Sequence, residues 1–344
     1  MTELEEVIDH INNGRNFLLS GGAGSGKTYS LVQVIRKVIE DYPSSQIMCI
    51  TYTNAAVREI QERIDHNNLT VKTIHEFLWA QIKNYQNELK SCLVELANDE
   101  DASYVKIADV DPVPNDFFNG VEEVIQYKEY LRLKDGIISH DQVIVLSEIM
   151  FHKYPKLGDI VKDKYDFIFI DEYQDTHKEV VQIFLEHFKQ TPKKNIIGFF
   201  GDAMQSIYNN RIGNLDEYKG ENDEEVREVK KEQNRRNPQS VINLANQLRT
   251  DGIKQVPSDD PSSPNMDERE VKQGEIKFIY SDDGNVDRVK EYLGWDFKDS
   301  KKTKELNLTH NLIAEKANFQ RLMDIYDNDK LLGEMGLKKE SKII

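Results

Sequence analysis

One stretch constrains the fold more than any other. Residues 16–28 read Asn-Phe-Leu-Leu-Ser-Gly-Gly-Ala-Gly-Ser-Gly-Lys-Thr, a short apolar strand that breaks into glycines and ends in Gly-Lys-Thr where a helix begins. Gly21, Gly26, Lys27 and Thr28 keep the G-x-x-x-x-G-K-[ST] spacing, with Gly22, Ala23, Gly24 and Ser25 between them. In that pattern backbone N–H groups converge on phosphate oxygens, the lysine reaches the β- and γ-phosphates, and the hydroxyl helps to hold Mg²⁺. Leu31, Val34, Ile35 and Val38 follow at helical spacing, and the preceding strand is continuously apolar, as a buried parallel strand is. A strand, a phosphate loop and a helix in this order predict an α/β nucleotide-binding fold with a parallel sheet, using ATP and Mg²⁺.

Composition narrows the setting. A chain of 344 residues has room for two or more domains. Its two cysteines, Cys49 and Cys92, form neither a disulfide framework nor a zinc site, which points to a reducing cytoplasm. The acidic, amphipathic stretch 1–11 is unlike a leader, and no apolar run approaches membrane-spanning length, so no membrane partner is expected. A net charge of −16 argues against a general electrostatic grip on nucleic acid; any such site must be a local basic groove.

Strand and helix patterns alternate along the chain. A first helix carries Leu4, Val7, Ile8 and Ile11 on one face, with Gly14 as its stop. After the glycine loop come a buried strand at Gln46–Thr51, a helix with Val57, Ile60 and Ile64 on one side, and a strand at Thr70–Ile74. Residues 79–141 read as an inserted, mostly helical subdomain, followed by a helix bearing Val143, Leu146, Ile149 and Met150. The sheet resumes at Asp166–Ile170, and Val181, Phe184, Leu185 and Phe188 mark a helix before the strand Asn195–Phe200. Residues 251–274, rich in Pro, Ser and Asp, read as a linker or surface loop; beyond them Glu275–Tyr280 is expected as a strand and Val286–Leu293 as a helix.

Two features add chemistry. Asp171-Glu172 closes an apolar strand, which suits one carboxylate for Mg²⁺ and the next for activating water. Gln205 follows the strand Asn195–Phe200 and the Gly201-Asp202 turn, at the sheet edge where ligands bind in such folds; by spacing it is either a γ-phosphate donor or a solvated loop residue. Arg236 lies just ahead of a helix, a second candidate for the same task.

Several stretches together resemble one family, the UvrD/Rep/PcrA-type superfamily 1 DNA helicases. Gly21–Thr28 resembles its first motif, Thr51-Tyr52-Thr53-Asn54-Ala55-Ala56 its Thr-Phe-Thr-Asn-x-Ala, and Thr73-Ile74-His75 its Thr-Phe-His. Residues 170–176, Ile-Asp-Glu-Tyr-Gln-Asp-Thr, are similar to Val-Asp-Glu-Phe-Gln-Asp-Thr; residues 201–208 to Gly-Asp-x-x-Gln-Ser-Ile-Tyr, with Arg211 matching a following Arg; and residues 232–236 to Glu-Gln-Asn-Tyr-Arg. The resemblance implies a RecA-like ATP-binding domain in two parts, 1–78 and 142–250, and a partial second RecA-like domain at 275–344. It implies that Gln205 and Arg236 reach the γ-phosphate. It also implies that Tyr52, Asn54, Thr73, His75, Tyr208 and Arg211 face single-stranded DNA, or a duplex–single-strand junction, or couple it to ATP.

The match has gaps. Residues 1–30 hold no Gln to stand for the family's adenine-reading Gln; its base-stacking Trp falls at Asn210, and its adenine-stacking Tyr at Arg235, whose planar guanidinium can also stack. The family's late Thr-x-His-x-x-Lys-Gly-Leu-Glu and Thr-Arg-Ala-Arg stretches are absent from 1–344. The expectation is therefore an ATP-hydrolysing helicase or translocase domain, as a truncated copy or part of a longer protein. The alternative is an ATP-dependent DNA-binding sensor that does not unwind, or an accessory subunit of a helicase–nuclease or defence complex with a protein partner.

Overall fold

A computed structural model of the protein describes residues 1–100, 102, 105–107, 110–118, 124–206, 211–222, 225–280, 282, 285–306, 314 and 318–327. These fall into two units, 1–276 and 277–344. Unit 1 is built on six parallel strands in the order β3-β2-β6-β7-β1-β8: β1 (Phe17–Gly21), β2 (Ile47–Thr51), β3 (Leu69–Thr73), β6 (Phe167–Asp171), β7 (Ile196–Gly201) and β8 (Arg227–Lys231). Two-residue strands β4 (Gln126–Tyr127) and β5 (Ile137–Ile138) pair apart from this sheet. β1, β2 and β6 are buried at every position, because helices cover both faces, as parallel sheets require.

Successive strand residues point to opposite faces, so each strand feeds two cores. Leu18, Met48, Ile50, Ile168, Ile170 and Phe199 enter one, and Phe17, Leu19, Cys49, Phe169, Phe200 and Val229 the other. The second core is closed by α1 (Glu3–Asn12), α2 (Lys27–Asp41) and α3 (Asn54–Arg63), whose apolar stripes Val7/Ile11, Leu31/Ile35/Val38 and Ile60 face inward. The first core is closed by α4 (Ile74–Ile82), α5 (Gln86–Asn98), α6 (His140–Lys153), α7 (Lys156–Lys164) and α8 (Lys178–Gln182), which runs on as a π-helical turn, Ile183–His187.

Within 79–141 the helices lie at the front, in α4 and α5; the described remainder is a short 3-10 turn and the β4–β5 pair. Its residues Val105, Phe118, Ile125 and Ile138 share one continuous core with sheet residues Leu18 and Ile168.

Past β8 come β9 (Gln233–Asn234) and α9 (Gln239–Leu248). The 251–274 stretch is irregular in backbone but closely packed: β10 (Val256–Pro257) pairs with β9, and Gln255, Ser258, Ser263 and Asn265 are buried. Among the described residues the strand expected at Glu275–Tyr280 is not formed. Ile276, Phe278 and Tyr280 alternate as a strand would, but the segment pairs with no described strand and these side chains are exposed. Unit 2 holds α10 (Val286–Leu293), capped by Asn285 and ended by Gly294, and a helix at Gln320–Asp327. No described helix is long and apolar enough to cross a membrane.

Candidate active site

β1, β7 and β6 are neighbours in the sheet, so their C-terminal ends bring the glycine loop, Asp202 and Asp171 to one edge. In doubly wound sheets this edge is where ligands bind. Lys27, the first residue of α2, is buried and its Nζ donates to the Gly21 carbonyl oxygen at 3.0 Å, folding the lysine over the loop. Gly24 lies at φ +89°, a left-handed conformation that costs a side-chain-bearing residue dearly. The first N–H groups of α2 have no partners within the helix and Gly26 offers no side-chain cap. Ser25 is fully buried with its hydroxyl unpaired. Unspent donors, a lysine and no acidic side chain in the loop make a cradle whose chemistry fits a polyphosphate. Thr28 is the second residue of α2, at the rim of this cradle.

Asp171 ends β6 and is only 4% exposed. Burial, and then the neighbouring Glu172 charge, push its carboxyl up to about 7, while the Glu172 N–H at 3.1 Å and Lys27 draw it back. Glu172 itself takes φ +49°, a left-handed conformation unusual for a side-chain-bearing residue and a local strain of the kind that gathers at functional turns. Gln174 braces this turn: its Nε2 donates to Glu172 Oε2 at 2.8 Å, and its Oε1 accepts the Asp202 N–H at 3.0 Å. One amide thus joins the turn after β6 to the turn after β7. Gln205 sits on the second turn, its Nε2 donating to Asp202 Oδ2 at 2.8 Å.

The segment 234–237 holds the glycine loop from its other side. Asn234 Nδ2 and Asn237 Nδ2 donate to the Ala23 carbonyl at 2.8 and 3.1 Å, and the Arg235 N–H donates to Gly24 O at 2.9 Å. Arg236 is exposed and lies against Gly24, placing its guanidinium stem beside the loop. The Arg235 guanidinium pairs with Asp260. Gln255 presses its amide against Gly22, where a Cβ would sit 2.4 Å from Nε2. Asn234, Asn237, Gln174 and Gln255 escaped the sequence reading. Asn234 and Gln174 lie inside the matched stretches; nothing in the sequence marks Gln255.

Of the nucleic-acid candidates, Tyr52, His75 and Arg211 come together. Arg211 donates to the Tyr52 hydroxyl at 2.8 Å with its guanidinium 5.4 Å from the ring centre, and the Tyr52 and His75 rings meet edge-on at 6.2 Å. The row continues through His140 (4.7 Å from His75), Tyr127 and Trp79, none of them anticipated from the sequence. Burial, helped by His140 and Arg211, lowers the His75 pKa to about 4, so the ring is neutral at pH 7. Thr73 is buried and its hydroxyl caps α4 by accepting the Glu76 N–H at 3.3 Å. Asn54 opens α3 on the surface, apart from these rings in the contacts observed. Tyr208 and Asn210 lie outside the described residues.

The profile of an AAA domain matches residues 5–211. Gabija protein GajB of Bacillus cereus (strain HuB5-5) is 28% identical over 424 aligned positions, covering 96% of this chain and 60% of the relative. The ATP-dependent DNA helicase PcrA of Staphylococcus epidermidis is 24% identical, covering 67% of this chain and 37% of the relative. The chain therefore spans about 60% or less of the length of these relatives. A crystal structure of Pif1 helicase from Candida albicans aligns over 67% of this chain and 39% of its own, with 14% identity and a TM-score of 0.31. With the profile matched over more than half of the chain, the chain belongs to the AAA-domain family.

Proposed function

We propose that the protein is an ATP hydrolase that couples hydrolysis to single-stranded DNA, as a helicase or translocase of the UvrD type. The observation that supports this best is the edge itself, where Lys27 acts electrostatically on both Asp171 and Asp202 across three adjacent strand ends. Phosphoryl transfer needs positioning and charge stabilisation more than covalent chemistry, and these residues supply both. ATP binds along Gly21–Thr28, and Lys27 exchanges the Gly21 carbonyl for phosphate oxygens. Thr28 and Asp171 would hold Mg²⁺, which when bound neutralises charge on the β- and γ-phosphate oxygens. Glu172 takes a proton from the attacking water, and Arg236 and Gln205 attend the γ-phosphate.

DNA runs over the ring row that starts at Tyr52 and His75. Stacking on such rings contributes about 1–3 kcal/mol per base without sequence preference. The cation beside it is local, Arg211 over Tyr52, which suits an acidic protein. Glu172→Gln keeps the side chain's size and its contact with Gln174 but removes the base. It is expected to lower DNA-stimulated ATP turnover by about 100-fold or more while ATP affinity stays within a few-fold. Full turnover in that variant, or a wild-type protein that neither binds nor hydrolyses ATP, refutes the proposal.

A further inference from the structure

Gln205 is held from a distance. Its Nε2 is bound to Asp202 Oδ2, and Asp202 in turn is gripped by Arg249, whose two terminal nitrogens donate to Oδ2 at 3.1 Å and Oδ1 at 2.8 Å. The pair is sealed from water: the Asp202 side chain is 1% exposed and that of Arg249 6%. Asp251 neutralises the remaining face of the guanidinium. Burial opposes the Asp202 charge, yet the bonds from Arg249 and Gln205 hold its carboxyl below the ordinary range.

The consequence for Gln205 follows from the amide's inventory. It has two N–H donors on Nε2 and an acceptor, Oε1, and one of the two donors is spent on Asp202. That bond fixes which way the amide faces. The second N–H can serve a phosphate oxygen, and Oε1 can orient the attacking water. Arg249 is the residue directly after α9, and α9 begins three residues after Arg236, so one helix links the Arg236 segment to the Asp202–Gln205 turn.

We infer that Arg249 is a positioning residue for hydrolysis. By keeping Asp202 charged and fixed, it holds the Gln205 amide in a single orientation, with Oε1 and one Nε2–H left for the attacking water and the γ-phosphate. This rests on the ATPase reading above.

The test compares Arg249→Ala, Arg249→Lys, Gln205→Ala and the double variant Arg249→Ala/Gln205→Ala in the full chain, measuring kcat and KM for ATP, fluorescent-nucleotide affinity and melting temperature. Arg249→Lys keeps the charge without the two-pronged grip and serves should Arg249→Ala fail to fold; its own double with Gln205→Ala then completes the cycle. The expected result is a fall in kcat of about tenfold for Arg249→Ala, a smaller fall for Arg249→Lys, and KM and nucleotide affinity within twofold of wild type. The double variant should be no slower than Gln205→Ala alone, since both act through one group. Multiplying effects in the double, or a lower melting temperature with kcat unchanged, overturns the inference and leaves the ATPase reading standing. A wild-type protein without hydrolysis overturns both.

Discussion

Replacing Asp171 by Asn is expected to stabilise the nucleotide-free protein, and to do so more strongly as the pH rises. The carboxyl titrates at about 7 in the folded chain against an ordinary 3.8, first because it is buried and next because Glu172 is beside it. Below pH 3.8 both folded and unfolded chains hold the proton, and the group costs nothing. Between 3.8 and 7 only the unfolded chain releases it, so each rise of one pH unit favours unfolding by about 1.4 kcal/mol. Above 7 the whole cost stands, about 4 kcal/mol as an upper bound for a three-unit displacement. Asn removes the ionisable group while leaving the other titrating side chains in place. The stability difference between variant and wild type therefore isolates Asp171, and it should widen by about 2–3 kcal/mol from pH 5 to pH 8.

Urea unfolding in EDTA measures it. The only tryptophans are Trp79 and Trp295, so a Trp295→Phe background makes Trp79 fluorescence report on unit 1. A difference that stays flat between pH 5 and pH 8 refutes the argument that burial of this carboxylate is stored strain. In the proposed role of Asp171 as a Mg²⁺ ligand the same proton would compete with the metal, and apparent Mg²⁺ affinity in the presence of nucleotide should climb with pH up to about 7.

Two further outcomes are expected. Gly22→Ala puts a methyl 2.4 Å from Gln255 Nε2 and should destabilise by about 1–3 kcal/mol in urea titration, with Gln255→Ala restoring most of the loss; an unperturbed Gly22→Ala protein would mean that the amide does not abut the loop. His75 should remain neutral at pH 5.5, where an ordinary histidine is mostly charged, so its imidazole NMR signals should not move between pH 7.5 and 5.5; a midpoint near 6.5 would contradict its burial against His140.

What could be read from the chain was what repeats or follows a local rule. Apolar runs such as Phe17–Leu19 and Phe167–Ile170 are buried strands, and their ends carry the glycine loop and Asp171-Glu172. What resisted reading were polar contacts between distant segments. Asn234 grips Ala23 across 211 residues and Arg249 grips Asp202 across 47, and neither bond leaves any periodic trace. Alternation alone also does not make a strand: Ile276, Phe278 and Tyr280 have a strand's spacing but pair with no strand among the described residues, and a strand needs a partner for its backbone. Thr73 illustrates a different blind spot, since a hydroxyl ahead of a helix is first a cap and accepts Glu76 N–H here.

The Gln174 amide also bears on how this chain can vary. It must donate to Glu172 and accept from the Asp202 backbone at once, across a gap in which Gly201 leaves no room for a side chain. Glu at 174 would keep the reach and the acceptor but set a second negative charge against Glu172. Asn would keep both bonding ends yet fall one methylene short. A substitution at this position therefore disturbs both turns at once, and the turn carrying Asp171-Glu172 is tied to the turn carrying Gln205 through one side chain.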